Sequence, residues 1–180
     1  DLVTVESTHI IEENFKKVFH HSPDFLVRSP GRVNLIGEHT DYNEGFVLPA
    51  AVDKQILFAF SANSLDSYRI YSVDKDDVYE AGVRSNPLQK SGKGWPDYLL
   101  GVVDQLRKAG YEVPGFHCVF GGNIPIGAGM SSSAALEGGT IYGLASLFDF
   151  AIDKLDMVKM SQKAENEFVG VNCGIMDQFA

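Results

Sequence analysis

Two stretches, residues 54–62 and 67–73, alternate apolar and polar positions on either side of the turn-forming Asn63-Ser64-Leu65-Asp66. Alternation of this kind marks strands with one buried face, and so short a polar link joins strands as a hairpin. This pair limits the fold more than any other feature. Further extended stretches fall at 25–28, at 32–36 beyond Ser29-Pro30-Gly31, at Phe46-Val47-Leu48-Pro49 after Gly45, and at 116–120. Helical spacing follows a different distribution. Ile11, Phe15, Val18 and Phe19 place a helix over 8–20, with Ser7 and Thr8 as its caps. Pro96 suits a first helical turn, and that helix runs to about Lys108, before Gly110. Three serines open a long helix ending near Phe148. Another fits 154–169, with Met157, Met160, Ala164 and Phe168 on one face. Strands gather early and helices late, which predicts an α+β fold and not a doubly wound parallel sheet. No internal repeat, low-complexity tract or linker interrupts the chain.

A length of 180 residues is enough for one full core. A hydrophobic content of 44% with 22% charged residues is that of a globular protein. The formal net charge of −9 argues against nucleic acid or an anionic membrane as the main partner, since both select basic surfaces. A phosphate ligand stays open, because backbone N–H groups and a metal ion can bind it locally. Cys118 and Cys173 have no CxxC or zinc-like neighbours, so neither a disulfide framework nor a zinc site is expected. Cys118 reads as inert core. No apolar stretch is long enough to span a bilayer, and Asp1-Leu2-Val3-Thr4 lacks the features of a signal peptide. The chain reads as cytoplasmic.

Two segments carry unusual chemistry. Residues 30–42, Pro-Gly-Arg-Val-Asn-Leu-Ile-Gly-Glu-His-Thr-Asp-Tyr, set both charge signs and an imidazole around an apolar strand and a glycine. A polyhydroxylated ligand needs such donors and acceptors with close backbone approach. His39 fits a sugar hydroxyl or a satisfied structural role. Residues 127–135, Gly-Ala-Gly-Met-Ser-Ser-Ser-Ala-Ala, lie between a strand and a helix. Glycines admit a ligand close to the main chain, and a helix N-terminus offers unpaired N–H groups to an anion. The serine hydroxyls can bond phosphate or coordinate Mg²⁺. No Lys precedes the serines as a P-loop requires, and Ser132 stands where the dinucleotide fingerprint needs glycine. A plain loop with a serine-capped helix is the competing reading.

Asp177 sits among Ile175, Met176 and Phe179, where a carboxylate is costly unless paired. Arg32 is a candidate partner, and a solvated turn aspartate is the alternative. Glu165 lies beside the apolar stripe of its helix, so it can face a cleft and bind Mg²⁺, or share a wet helix face with Glu167. The adjacent His20 and His21 point two ways and make a poor metal site. Trp95, the only tryptophan, can stack on an adenine or serve as a structural core residue.

Residues 30–45 resemble the galactokinase signature, and 125–135 resemble the ATP-binding motif of the wider GHMP small-molecule kinases. Residues 173–179, Cys-Gly-Ile-Met-Asp-Gln-Phe, are similar to the galactokinase catalytic segment. The first and last motifs are highly specific, and all three stand in family order. The resemblance implies that residues 1–180 form a GHMP kinase N-terminal domain, of the ribosomal protein S5 domain 2 type. It makes Arg32 and Asp177 catalytic. Arg32, Glu38, His39, Asp41, Gly174 and Asp177 would contact the sugar. Gly127, Ala128, Gly129, Met130, Ser131, Ser132 and Ser133 would form the phosphate loop. Ser133 and Glu165 would be Mg²⁺ ligands, and Trp95 an adenine-side residue.

The implied activity is ATP-dependent phosphorylation of the anomeric hydroxyl of galactose, with ATP and Mg²⁺, in a monomer. Family members continue into a ferredoxin-like second domain that completes the cleft. The 180 residues are therefore expected to be a truncated, inactive portion. Two other readings stay open: a kinase for N-acetylgalactosamine or arabinose, and a non-catalytic galactose and ATP sensor. The intact Ser131-Ser132-Ser133-Ala134-Ala135 run favours the enzyme over the sensor.

Overall fold

The computed structural model describes residues 2–36, 48–123 and 132–171, with side chains described over 5–31, 54–123 and 132–171. The elements are α1 (Leu2–Phe19), β1 (Phe25–Ile36), β2 (Leu48–Ala62), β3 (Ser67–Ser72), β4 (Asp77–Gly82), α2 (Trp95–Lys108), β5 (Phe116–Gly122), α3 (Ser132–Phe148) and α4 (Lys154–Lys163). α4 continues directly into a π-helical turn, Ala164–Val169. The architecture is α+β, as expected.

Several elements differ from the sequence reading; β2 runs unbroken from Leu48 to Ala62, joining stretches expected separately at 46–49 and 54–62. Ser7 and Thr8 lie inside α1 and do not cap it. No glycine or proline separates them from Leu2, so nothing stops the helix from extending. α1 ends at Phe19, and the next residue, His20, takes a left-handed φ of 64°. β1 is one strand of 12 residues instead of two segments. The register shifts between Pro30 and Arg32, so the Ser29-Pro30-Gly31 stretch is absorbed as an irregularity of an edge strand. β4 was not anticipated; Asp77 and Glu80 give it little apolar alternation, and it forms the opposite edge.

The five strands lie in the order β1-β2-β5-β3-β4, so β5 inserts between β2 and β3 and the hairpin expected of 54–62 and 67–73 does not form; the turn at 63–66 links strands that each pair with β5 instead. All neighbours are antiparallel except β3 and β5, which run parallel. Alternation along each strand divides the core between the two faces. Ile56, Phe58, Phe60, Tyr68, Ile70, Phe116, Cys118 and Phe120 join the larger cluster, shared with α2 and α3. Leu57, Ala59, Tyr71 and Val119 face the other way and meet Ile11, Phe15 and Phe19 of α1.

α3 approaches β2 closely because two of its residues lack side chains. A Cβ on Gly139 would lie 2.2 Å from Cε2 of Phe58, and one on Gly143 would lie 2.2 Å from Cε2 of Phe60. The two glycines, one helical turn apart, let the aromatic rings of β2 fit against the helix backbone. This contact fixes how α3 lies across the sheet, and therefore where its first turn points.

Candidate active site

β1, an edge strand of the sheet, meets the first turn of α3. The Ser29 hydroxyl of β1 donates to the Ala135 carbonyl of α3 at 2.7 Å, and both residues are buried. This bond ties the strand that carries Arg32 to the helix that carries the serines. In the β1–β2 ladder Arg32 pairs with Ala51. The Arg32 side chain lies outside the described residues, as do Glu38, His39, Asp41, Gly127, Ala128, Gly129, Met130, Ser131, Gly174 and Asp177.

Ser132 and Ser133, within the described residues, open α3. Ser132 is buried and Ser133 half-buried. They occupy the helical turn where N–H groups have no intrahelical partner, the part of a helix suited to an anion.

Glu165 stands in the first turn of the π-helix and is only 4% exposed. That removes the wet-face alternative for this residue. Glu167 does lie on the exposed side, where it accepts from Gln105 Nε2 at 2.9 Å. The Glu165 carbonyl accepts from the backbone N–H groups of Gly170 at 2.9 Å and Val171 at 3.1 Å, which anchors its main chain. π-turns inside α-helices often occur at functional sites; here the wider turn follows α4 without a break.

The structure adds a residue that sequence reasoning missed. Glu137 of α3 is completely buried, and neither carboxyl oxygen makes a hydrogen bond of complete geometry. Burial drives its pKa far upward, and the neighbouring Glu165 carboxyl adds to that. The phenol of Tyr98, on α2, is also shifted upward, first by burial and then by Glu165, Glu137 and Asp97. Two carboxyls and a phenol from three elements thus share one neighbourhood. The signal was present in the sequence, since Glu137 is the only charged residue of Ser132–Phe148. Among the described residues, no group of three or more His, Cys, Asp or Glu side chains could hold a metal ion.

Trp95 belongs to the core. It is 7% exposed, packs against Phe120 with ring centroids 5.7 Å apart, and donates its indole N–H to Asp77 Oδ2 at 3.2 Å. Cys118 is buried as expected, and burial pushes its thiol pKa well up. His21 bonds His117 at 3.0 Å and takes part in anchoring α1.

The GHMP kinases N terminal domain model matches residues 97–180, from α2 to the end of the chain. The galactokinase galactose-binding signature matches residues 13–62, from α1 through β2. The chain belongs to the galactokinase family of GHMP kinases. A galactokinase of Thermosipho africanus is 47% identical over 154 residues, 86% of this chain and 42% of that protein. The Thermotoga maritima galactokinase is 45% identical over 153 residues, with coverage of 85% and 42%. The chain thus spans about two-fifths of the length of these relatives. The Lactococcus lactis galactokinase, solved in complex with galactose, superposes with a TM-score of 0.88 at 36% identity, over 97% of this chain and 46% of that one. A Methanococcus jannaschii mevalonate kinase shares the fold at a TM-score of 0.76 and 22% identity, over 86% of this chain and 49% of its own. The fold is that of a GHMP kinase N-terminal domain. No helix among the described residues is long and apolar enough to cross a membrane.

Proposed function

We propose that the protein carrying this chain transfers the γ-phosphoryl group of ATP to the anomeric hydroxyl of galactose. The observation that carries this reading is the galactose-binding signature over residues 13–62, the span that contains Arg32, Glu38, His39 and Asp41. Its relatives named as galactokinases, and the likeness to the galactose complex, support the same substrate.

In the reaction, the anomeric oxygen attacks the γ-phosphorus, and the bond from that phosphorus to the β–γ bridging oxygen breaks. ADP leaves with the bond's electron pair, and the hydroxyl proton passes to the Asp177 carboxylate. Arg32 keeps Asp177 ionised and faces the developing negative charge. Glu38, His39, Asp41 and Gly174 hold the remaining sugar hydroxyls. Gly127 through Ser133 and the start of α3 hold the phosphates. Ser133 and Glu165 are oxygen donors of the hard type that Mg²⁺ prefers, and burial of Glu165 suits it to a cation instead of solvent. Bound there, Mg²⁺ would neutralise the phosphate charge. Catalysis is then mainly positioning and electrostatics. Trp95, packed against Phe120, would border the adenine as part of the core wall.

Residues 1–180 are, in this proposal, the sugar- and ATP-binding part of a longer monomeric, cytoplasmic enzyme. Its further domain would close the cleft, consistent with relatives more than twice the matched length. The test is ATP consumption by the full-length protein against galactose, N-acetylgalactosamine and arabinose. Turnover highest with galactose is expected. Turnover confined to another sugar, or none at all, would overturn the assignment.

A further inference from the structure

We propose that Glu137 is a second carboxylate of the divalent-cation site, standing beside Glu165, an inference that rests on the assignment of Mg²⁺ to Ser133 and Glu165. Glu137 is 0% exposed, and its carboxyl meets no polar partner except the adjoining Glu165 carboxyl, itself an acid, so its acceptor oxygens are left incomplete. A buried polar group in that state calls for a partner that completes it, commonly a water or an ion. Its neighbours narrow the choice. Glu165 comes from the π-turn and Tyr98 from α2, and neither brings positive charge. Two carboxyls pressed together in a buried place repel unless a proton or a cation stands with them. One proton provides a single new donor for several acceptor sites. A divalent ion with its coordinated waters supplies several donors at once.

Position in the sequence agrees. Glu137 follows Ser133 by four residues on α3, so the two share one face of the helix. Ser133 and Glu165 are the donors assigned to the ion, and Glu137 lies one helical turn from the first and beside the second. A helix otherwise without charge has no packing need for a glutamate here, where leucine or glutamine would fill the space. Carboxylates next to metal ligands tune cation affinity strongly, and losing one commonly weakens binding about 10–100-fold.

The experiment uses the full-length protein with Mn²⁺ as probe and a non-hydrolysable ATP analogue, with bound Mn²⁺ read by electron paramagnetic resonance. Glu137→Gln and Glu137→Leu are each expected to weaken Mn²⁺ binding by about tenfold or more. Affinity for the analogue without metal should stay within about twofold of the parent, and the metal-free melting midpoint of Glu137→Leu should equal or exceed it. Mn²⁺ affinity within about twofold of the parent in both variants would overturn the proposal. So would a lowered metal-free midpoint with unchanged Mn²⁺ affinity, the mark of a purely structural residue. If Glu137→Leu does not fold, the isosteric Glu137→Gln decides alone. Glu165→Gln separates the two layers: Mn²⁺ binding unchanged by that variant removes the underlying ion assignment. A parent protein that binds Mn²⁺ and phosphorylates a sugar other than galactose removes only the substrate.

Discussion

At the scale of single residues, two titratable side chains make claims that can be checked separately. Asp177 is proposed to take the hydroxyl proton. Asp177→Asn should abolish sugar phosphorylation while ATP binding, followed by calorimetry, persists; near-parental turnover would remove Asp177 from the chemistry. His117 acts on stability. It stacks on Phe19 with ring centroids 4.1 Å apart, and its pKa is lowered to about 4 by burial, then by His21 and Arg69, with Glu80 opposing. The unfolded chain binds this proton from about pH 6.5 downward, whereas the folded chain binds it only near pH 4. The unfolded state thus holds more protons across that window. The contribution is complete above about pH 6.5 and is lost as pH falls towards 4, on the order of 2 kcal/mol. Urea denaturation at pH 7 and pH 4.5 should show the loss, and His117→Phe should flatten that part of the profile.

Among the elements, α3 links the packing of the sheet to the proposed phosphate site. Gly139→Ala would drive a methyl into the Phe58 ring and should cost about 1–3 kcal/mol. Its neighbour Gly138 has nothing within 4 Å of a built Cβ, so Gly138→Ala should stabilise the same helix by about 0.5–1 kcal/mol. Thermal melts of the two variants moving in opposite directions would confirm that face of α3; a common direction would contradict it. α3, α2 and β5 were legible in the sequence because each has a strong signal: the serine run, Pro96 with Gly110 beyond, and an apolar run at 116–120. β4 was hidden because its alternation is interrupted by Asp77 and Glu80, and its pairing with β3 is a tertiary fact. The unity of β1 was hidden because Pro30 and Gly31 read as a break, whereas an edge strand tolerates both at a register shift. The burial of Glu165 could not be read from a helical stripe, because the π-turn alters the angular spacing that a stripe assumes. Glu137 was visible as a lone charge in an apolar helix, but its neighbour Glu165 is set only by the packing of the π-turn near α3.

For the whole molecule, the order of motifs along the chain and the sheet that gathers them agree with one another. Ser29 fastens β1 to the first turn of α3, so a buried hydrogen bond joins the sugar-signature strand to the helix proposed to meet the phosphates. A sugar and a nucleotide bound on either side of that junction would face each other, as phosphoryl transfer requires. The acidic net charge of −9 is compatible with the proposed arrangement, in which helix N–H groups and a cation, not a basic surface, would meet the phosphates. The most direct test of the account is the product. Full-length protein incubated with ATP, Mg²⁺ and galactose should yield a new sugar phosphate, assigned by ³¹P and ¹³C NMR as galactose carrying phosphate on its anomeric oxygen. Phosphate on any other hydroxyl, or ATP hydrolysis without a sugar phosphate, would contradict the account.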